Sequence, residues 1–200
     1  MDQPTLDAGS MDLLFRQART HNAWQDRPVE QATLEAMWDL LKWGPTSSNL
    51  QPLRVLFLVG EQAKQKLKPA LSEGNRAKTM RAPAVAVLAW DSRFYEHAAE
   101  VSPGNPGARS RHEGPGKEAG VRETAFRNSS LQGGYLILAA RAVGLDCGPM
   151  SGFDAAMVEA LFFGDGRYRV NFICNLGYGD PAGLRPRNPR LRFDQACQIL

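Results

Sequence analysis

The sequence predicts a single α+β or three-layer domain, and three short apolar runs carry that prediction. They lie at residues 53–59, 84–90 and 168–176, and each has the length and apolar content of a buried strand. Segments with helical periodicity surround them, so the expected order is ααβαβ, a loop, ααβ and a C-terminal arm. With 200 residues and no internal repeat, the chain is expected to form one domain over residues 1–200.

The helices are predicted from apolar spacing and from signals at their ends. Ser10 and Asp154 are candidate N-caps, Gly44 is followed by a helix-breaking Pro45, and Gly144 can close the longest helix. The predicted helices cover residues 11–19, 31–43, 62–71, 122–143 and 154–162, with a last short one at 194–200.

Residues 97–120 are rich in glycine and proline and poor in apolar anchors, which predicts a long loop. In a compact enzyme such a loop is a mobile active-site cover or a disordered segment, and a solvated surface loop is an equally good interpretation. After Gly179 the chain is rich in proline and arginine, so no regular element is expected before residue 194.

Composition excludes several classes of protein. The net charge is +3, from 24 basic and 21 acidic residues spread along the chain, which is too balanced for a nucleic-acid-binding surface. Neither a signal peptide nor an apolar run long enough to span a membrane is visible. Cys147, Cys174 and Cys197 form no CxxC pair, which indicates free thiols in a reducing compartment. We therefore expect a cytoplasmic protein that binds neither nucleic acid nor a membrane.

Common catalytic motifs are absent from the sequence. It contains no HExxH, GxSxG or P-loop pattern, and His21, His97 and His112 are too scattered for a metal site. Residues 177–182 imitate the dinucleotide fingerprint GxGxxA, but the prolines that follow forbid the helix that should hold the pyrophosphate. We expect no metal and no classical dinucleotide fold.

Three polar turns lie instead at element boundaries. Residues 19–22 hold a guanidinium, a hydroxyl and an amide, a combination that suits a phosphate or a ribityl chain, although a solvated helix end explains it as well. Residues 44–52 place three hydroxyls and two amides beside a buried strand, as a polar wall for a planar ligand or as a capped turn. Residues 145–154 carry two glycines whose backbone N–H groups can approach a flat ring.

The C-terminal arm adds positive charge. Its arginines can meet a phosphate, although a solvated tail is an equally simple interpretation; they are Arg185, Arg187, Arg190 and Arg192.

These segments, in this order, resemble the nitroreductase family of FMN-dependent enzymes, from residue 13 to the C-terminus. The family's Pro-Ser-x-x-Asn-x-Gln-Pro segment is matched at residues 45–52, and its Gly-Leu-Asp and Pro-Met-x-Gly-Phe segments at 144–146 and 149–153. The sequence is most similar to the branch described as malonic semialdehyde reductase, which forms 3-hydroxypropanoate. Residues 18–22, 42–47, 123–130 and 148–154 carry this closer resemblance.

The resemblance implies a fold and a set of cofactor contacts. The fold would be an α+β sandwich with a mixed sheet covered by helices, in an obligate homodimer with FMN at the subunit interface and the arm around the partner. Asn22 replaces the family's usual basic residue, so His21 and the arm would supply charge to the phosphate. The implied cofactor-binding residues are Arg19, Thr20, His21, Asn22, Thr46, Ser47, Asn49, Asn75, Lys78, Pro149, Met150, Ser151, Gly152, Arg187 and Arg190.

By the same resemblance the chain would transfer hydride from NADH or NADPH through FMN to a small acceptor, with no catalytic side chain of its own. The expected acceptor is malonic semialdehyde, whose carboxylate would need a cation; Arg76, Arg109, Arg111 and Arg127 are the candidates. A promiscuous nitroaromatic or quinone reductase is the alternative. A non-catalytic flavin-binding or storage protein is the alternative from another class.

Overall fold

A computed structural model describes residues 3–200 and gives an α+β domain. Its strands are β1 (Leu53–Leu58), β2 (Ala84–Asp91), β3 (Asp146–Met150) and β4 (Tyr168–Gly177). Its helices are α1 (Ala8–Met11), α2 (Gln31–Leu41), α3 (Glu61–Leu67), α4 (Glu73–Arg81), α5 (Ala98–Val101), α6 (Glu118–Ala142), α7 (Ala155–Phe162) and α8 (Phe193–Ala196). None of the helices between residues 3 and 200 is long and apolar enough to cross a membrane.

The four strands form one sheet in the order β1-β2-β4-β3. Every neighbouring pair is antiparallel, so the expectation of a mixed sheet was wrong. The single parallel pairing is a bridge between Thr20 and Cys147, outside the regular ladders of the described chain. Helices cover both faces of the sheet, and strands buried on both sides read as continuous apolar runs whether they are parallel or antiparallel.

Strand β2 separates two hydrophobic cores. Ala84, Ala86 and Leu88 pack with α2 and α6 on one face, while Val85 and Val87 pack with the α3 and α7 layer on the other. The alternation follows from the two-residue period of a strand. The three predicted strands were therefore located correctly, and their continuous apolar character comes from this two-sided burial.

Three local predictions need correction. The first helix is capped by Asp7 rather than Ser10, since the Asp7 carboxylate accepts a hydrogen bond from the Ser10 N–H. Residues 146–150 were predicted as part of a turn and form β3, an edge strand that tolerates Pro149 because its outer side needs no N–H. Helix α4 was not predicted, because its nine residues carry almost no apolar periodicity.

The segment at 97–120 is neither an open cover nor featureless in the structure. It begins with α5, ends where α6 starts at Glu118, and buries Ala108 completely between them. Ala108 joins a third cluster with Leu50, Trp90 and Phe94. This anchoring fixes the segment against the turn that precedes β1.

The longest helix, α6, packs closely on the sheet because of one glycine. A Cβ at Gly133 would lie 2.5 Å from a ring carbon of Phe172 on β4 and 3.1 Å from a methyl carbon of Leu88 on β2. Any side chain at this position would push the helix away from the core.

A buried carboxylate ties β1 and β2 to the residue just before β4, at one end of the sheet. Asp91 on β2 is fully buried and receives both the Nε and Nη2 of Arg167 at 2.8 Å, and the Nη2 of Arg54 on β1 at 3.0 Å. Burial alone would raise the pKa of Asp91, but the hydrogen bonds from Arg167 and the Arg93 N–H and the charge of Arg54 outweigh it and lower the pKa. Asp91 therefore stays ionised in the folded protein.

Replacing Gly133 with Ala should reduce the free energy of unfolding by about 1 to 3 kcal/mol, because the new methyl group overpacks the α6–sheet contact. Urea denaturation at fixed protein concentration measures this loss. Gly120→Ala on the same helix is the matched control, since its Cβ would meet nothing within 4 Å. That control should instead stabilise the protein by up to about 1 kcal/mol, and equal effects at the two sites would contradict the packing argument.

Asp91→Asn should reduce the free energy of unfolding by about 3 to 5 kcal/mol, because it leaves the Arg54 and Arg167 guanidiniums without a buried counter-charge. Asp39→Asn, which removes an exposed pair with Lys42, should cost less than about 1 kcal/mol.

The same network makes stability depend on pH. Because the folded pKa of Asp91 is lowered, its contribution is fully present above the ordinary value of 3.8 and is lost as the pH falls through the folded value. The free energies of unfolding of wild type and Asp91→Asn should therefore converge as the pH falls. A constant difference between them down to the lowest accessible pH would contradict the ionised state assigned to Asp91.

Candidate functional site

A basic cavity of about 280 Å³ opens where the turn at residues 18–22, the C-terminal end of α6 and the C-terminal arm meet. Five arginines line it and no acidic residue does; the lining includes Arg19, Arg141, Arg185, Arg187 and Arg190, together with Thr20 and Asn22. Guanidinium groups bind oxyanions through paired N–H donors, so the cavity suits a phosphate.

The arm and the turn hold each other in place around this cavity. The Arg19 guanidinium donates to the carbonyl oxygen of Arg185, and the Nη2 of Arg187 donates to the carbonyl oxygen of Ala18 at 3.0 Å. The structure thus brings together residues that are 166 and 169 positions apart in the sequence, and the arm is not a free tail. Arg141 was not predicted; its only sequence signal is its place in the last turn of α6.

His21 does not line the cavity, contrary to the expectation that it supplies charge to a phosphate. Thr20 pairs with Cys147 of β3, and neighbouring side chains in extended backbone point to opposite sides, so His21 turns inward. Its Nε2 lies 3.4 Å from Oδ1 of Asp146, whose Oδ2 accepts the Gly179 N–H at 2.9 Å. Its Nδ1 is buried without a partner in the described part of the chain.

The glycines of the false dinucleotide fingerprint have a packing role. A Cβ at Gly179 would lie 2.0 Å from the His21 Nδ1, and one at Gly177 would lie 2.6 Å from Pro83. Residues Pro181–Gly183 then form only a single 3-10 turn. The sequence argument against a dinucleotide helix at this position is confirmed.

Helix α4 continues the polar surface away from the cavity. Asn75 and Lys78 are three residues apart and therefore share one face of the helix. The Lys78 carbonyl oxygen accepts a hydrogen bond from the Trp24 indole at 3.1 Å, which fixes α4 beside the turn at 19–24. Burial, and then the charge of Arg185, lower the pKa of Lys78. The charges of Lys78 and Arg185 therefore lie close enough to repel each other.

The far end of this surface is the turn after β3. Asn75 Nδ2 and the Ser72 N–H both donate to the Gly152 carbonyl oxygen, at 2.8 and 3.0 Å. A Cβ at Gly152 would lie 2.6 Å from the Asn75 Nδ2, so only glycine allows this close approach. Within residues 3–200 the Gly152 N–H has no hydrogen-bond partner, which leaves it available as a donor. Met150 is buried at the end of β3, while Ser151 is exposed.

The turn that carries Thr46, Ser47 and Asn49 has a strained backbone. Ser48, Asn49 and Gln51 have positive φ values of 51°, 55° and 43°. For residues other than glycine this conformation costs energy and is kept where surrounding structure enforces it, often at functional sites. Here the Ser47 N–H donates to the Asn128 Oδ1 at 2.8 Å, and the Gln51 N–H donates to the Thr46 hydroxyl at 3.1 Å.

This strained turn does not meet the basic cavity within one chain. It rests on Asn128, whereas the cavity includes Arg141, thirteen residues further along α6. At 1.5 Å per residue the two positions are about 20 Å apart along the helix. The predicted residues therefore form two groups, one around the cavity and α4 and one at the N-terminal half of α6.

The chain is similar to known proteins over most of its length. Residues 15–178 match the model of the nitroreductase family. A protein of Burkholderia lata assigned as an NADH dehydrogenase/NAD(P)H nitroreductase is 55% identical over 195 residues, covering 98% of each chain. The crystal structure assigned as the nitroreductase ydfN of Bacillus subtilis has a TM-score of 0.87 at 25% identity, covering 97% of this chain and 100% of its own.

A second crystal structure shares the fold. It is assigned as a nitroreductase of Exiguobacterium sibiricum and was solved in complex with FMN. Its TM-score is 0.82 at 20% identity, over 100% of both chains.

Arg185→Gln should raise the pKa of Lys78 toward its ordinary value of 10.5, because it removes the neighbouring charge while burial remains. The ¹³C chemical shift of the labelled Lys78 side chain, followed against pH, measures the change. Arg190→Gln is the matched control, since it removes a charge from the same cavity that does not act on Lys78. Equal changes in the Lys78 pKa in the two variants would contradict the proximity of Lys78 to Arg185.

Proposed function

The chain belongs to the nitroreductase family, and on that premise we propose that it is an FMN-dependent oxidoreductase that passes hydride from NADH or NADPH to a small acceptor. The observation that carries the proposal is the basic cavity with its five arginines, and Lys78, Asn75 and the Gly152 N–H add further donors on α4 and the turn after β3. The arginines suit a phosphate, and the donors on α4 and the turn after β3 suit a flat ring that carries oxygen atoms.

The residues present fit FMN chemically. Five guanidiniums without an acidic neighbour suit a phosphate dianion, and Thr20 and Asn22 add neutral donors at the mouth of the cavity. Arg19, Arg187 and Arg190 would hold the phosphate, and Arg141 and Arg185 extend the set that the resemblance implied. His21 would not contact the phosphate but would hold the turn in position through Asp146.

The ring would lie along α4 and the turn after β3. Lys78 would place its cation, and Asn75 its amide, beside the pyrimidine part of the ring, where a positive charge stabilises the reduced form. Met150, Ser151 and Gly152 would face the reactive edge with backbone groups. Pro149 would contribute contact only, because it has no N–H to donate. Bound FMN would supply reversible hydride exchange between donor and acceptor.

The remaining cofactor residues would come from a partner subunit. Thr46, Ser47 and Asn49 lie on a turn about 20 Å along α6 from the cavity, and we assign them to the flavin of the other subunit. The single chain also leaves large apolar side chains exposed, such as Trp43 at 79% and Phe126 at 52%, and such surfaces mark interaction sites. These observations support a homodimer with its two sites at the subunit interface and the arm against the partner.

For the acceptor we propose malonic semialdehyde, which the chain would reduce to 3-hydroxypropanoate. NAD(P)H loses a hydride and becomes NAD(P)⁺, the aldehyde carbon gains the hydride, and a proton from water completes the alcohol. The name of the Burkholderia lata relative favours a second candidate, a reductase of nitroaromatics, with quinones as the related acceptors. Cys147, Cys174 and Cys197 are free thiols, which supports a reducing, cytoplasmic compartment.

The first test is the visible spectrum of the purified protein, followed by NADH or NADPH without oxygen. A yellow protein that bleaches supports the proposal, and kcat/KM for malonic semialdehyde against a nitroaromatic then separates the two candidates. A yellow protein that neither donor bleaches would favour a flavin-binding or storage role. A colourless protein that FMN cannot reconstitute would contradict the proposed cofactor.

The phosphate assignment has its own test. Arg19→Gln and Arg187→Gln should each weaken FMN binding by roughly 10- to 100-fold, because each removes a charged hydrogen-bond donor. Quenching of FMN fluorescence on titration with apoprotein measures the dissociation constant. Arg192→Gln is the control, because Arg192 lies on the same arm but pairs with Asp194 at 2.8 Å. Equal affinities for wild type and the two cavity variants would place the phosphate elsewhere.

A further inference from the structure

We infer that Arg111, Asn105 and the Ser48 hydroxyl form a binding subsite for the carboxylate of an anionic acceptor. The inference rests on the proposed function, which brings the strained turn at 46–51 beside the flavin of the partner subunit. The subsite would make short oxo acids the substrate class of the protein.

Three donors converge at this place. The Nη2 of Arg111 and the Nδ2 of Asn105 both point at the Ser48 Oγ, each at 3.4 Å. These distances are longer than the usual N–H···O separation of about 2.9 Å, so both donors are only loosely satisfied. The guanidinium keeps further N–H groups, and the hydroxyl keeps its own hydrogen. A carboxylate needs such a set of directed donors, one of them charged.

Of the four candidate arginines, Arg111 and Arg76 are the two that form an ion pair with no carboxylate in the described residues. Arg109 is held by Glu113 through its Nε and Nη2 at 2.9 and 2.6 Å, and Arg127 is held by Glu123. Arg76 donates its Nε to the carbonyl oxygen of Leu71 at 3.0 Å and belongs to α4, whereas Arg111 contacts the turn at 46–51. Across residues 3–200 Arg111 forms an ion pair with no carboxylate. Its charge is therefore available to a ligand.

The subsite is held in shape before any ligand arrives. Asn105 and Arg111 stand on either side of the fully buried Ala108, and backbone hydrogen bonds join Ala108 to Asn105 and Arg111 to Gly107. On the facing turn, the Asn49 Nδ2 donates to the carbonyl oxygen of Val101 at 2.7 Å. The turn and the segment at 101–111 thus form one unit, and preorganised donors bind with a smaller entropic cost.

Asn49 links the subsite to the chemistry. It belongs to the group that would border the partner's flavin, and Ser48 is its immediate neighbour in the same strained turn. An acceptor with its carboxylate on Arg111 would therefore extend its carbonyl carbon toward the ring. Because Ser48 adjoins Asn49, the subsite favours a short spacer between carboxylate and carbonyl, and the charge of Arg111 favours oxo acids over uncharged aldehydes and quinones.

The test compares Arg111→Gln and Arg111→Lys with Arg109→Gln in the FMN-loaded protein. Two readouts are taken: the ratio of kcat/KM for malonic semialdehyde to kcat/KM for a benzoquinone, and the dissociation constant for propanoate by titration calorimetry. Propanoate is an unreactive carboxylate of the same length, so the second readout does not depend on turnover. Arg109→Gln is matched because Arg109 lies in the same segment with its charge already neutralised by Glu113.

Arg111→Gln should lower the ratio by roughly 10- to 100-fold, mainly through KM of the acid aldehyde, and should weaken propanoate binding by a similar factor. Arg111→Lys, which keeps the charge but loses the planar fork, should lie between it and wild type. Arg109→Gln should leave both readouts unchanged. An unchanged ratio and an unchanged propanoate affinity in Arg111→Gln would overturn the subsite.

Failure of the proposed function would look different. If the wild-type protein reduced neither acceptor with NADH or NADPH, the oxidoreductase proposal would fail. The propanoate titration would then decide the subsite by itself, since weaker binding in Arg111→Gln supports it and equal binding overturns it. Arg111→Lys keeps the test valid if the glutamine variant does not fold.

Discussion

Burial of β2 on both faces is the constraint on which the rest of the structure depends. All eight residues of this strand are buried, so helices must cover the sheet on both sides. The residues of the candidate site therefore lie outside the apolar middle of β2, because an unpaired polar group there would lose its hydration. They collect where the covering layers end: at the turn that docks on β3, on the outer face of α4, and at the turn before β1.

Helix α6 sets the distance between these places. It runs from the strained turn at its N-terminal half to Arg141 in the basic cavity, and its contact with the sheet depends on Gly133. A helix of this length keeps the two groups of residues apart in one subunit. The same rigidity allows two subunits, each contributing one group, to build a single site with fixed geometry, which is the arrangement that the proposed function requires.

Local sequence patterns predicted those strands and helices that a single interaction stabilises, and they missed the elements that depend on several contacts. The runs at β1, β2 and β4 were found because burial alone explains them. Strand β3 was mistaken for a turn, because its Gly148 and Pro149 suggest turn chemistry while an edge position tolerates both. Helix α4 was missed because it is stabilised by contacts such as the Trp24–Lys78 hydrogen bond rather than by an apolar stripe. For the site, the sequence named candidate segments, and the structure shows that the His21 side chain turns toward Asp146 and does not line the basic cavity.

The sequence by itself determined the fold class, the position of the main strands, the family resemblance and the order of the polar segments, because each of these is written in local composition and spacing. Only the tertiary structure decided which side chains meet. Arg141 joins the arm, His21 turns to Asp146, and Arg109 pairs with Glu113 whereas Arg111 forms an ion pair with no carboxylate of the described residues. The physical reason is that charge pairing and side-chain direction depend on neighbours from distant parts of the chain, which a linear pattern does not specify.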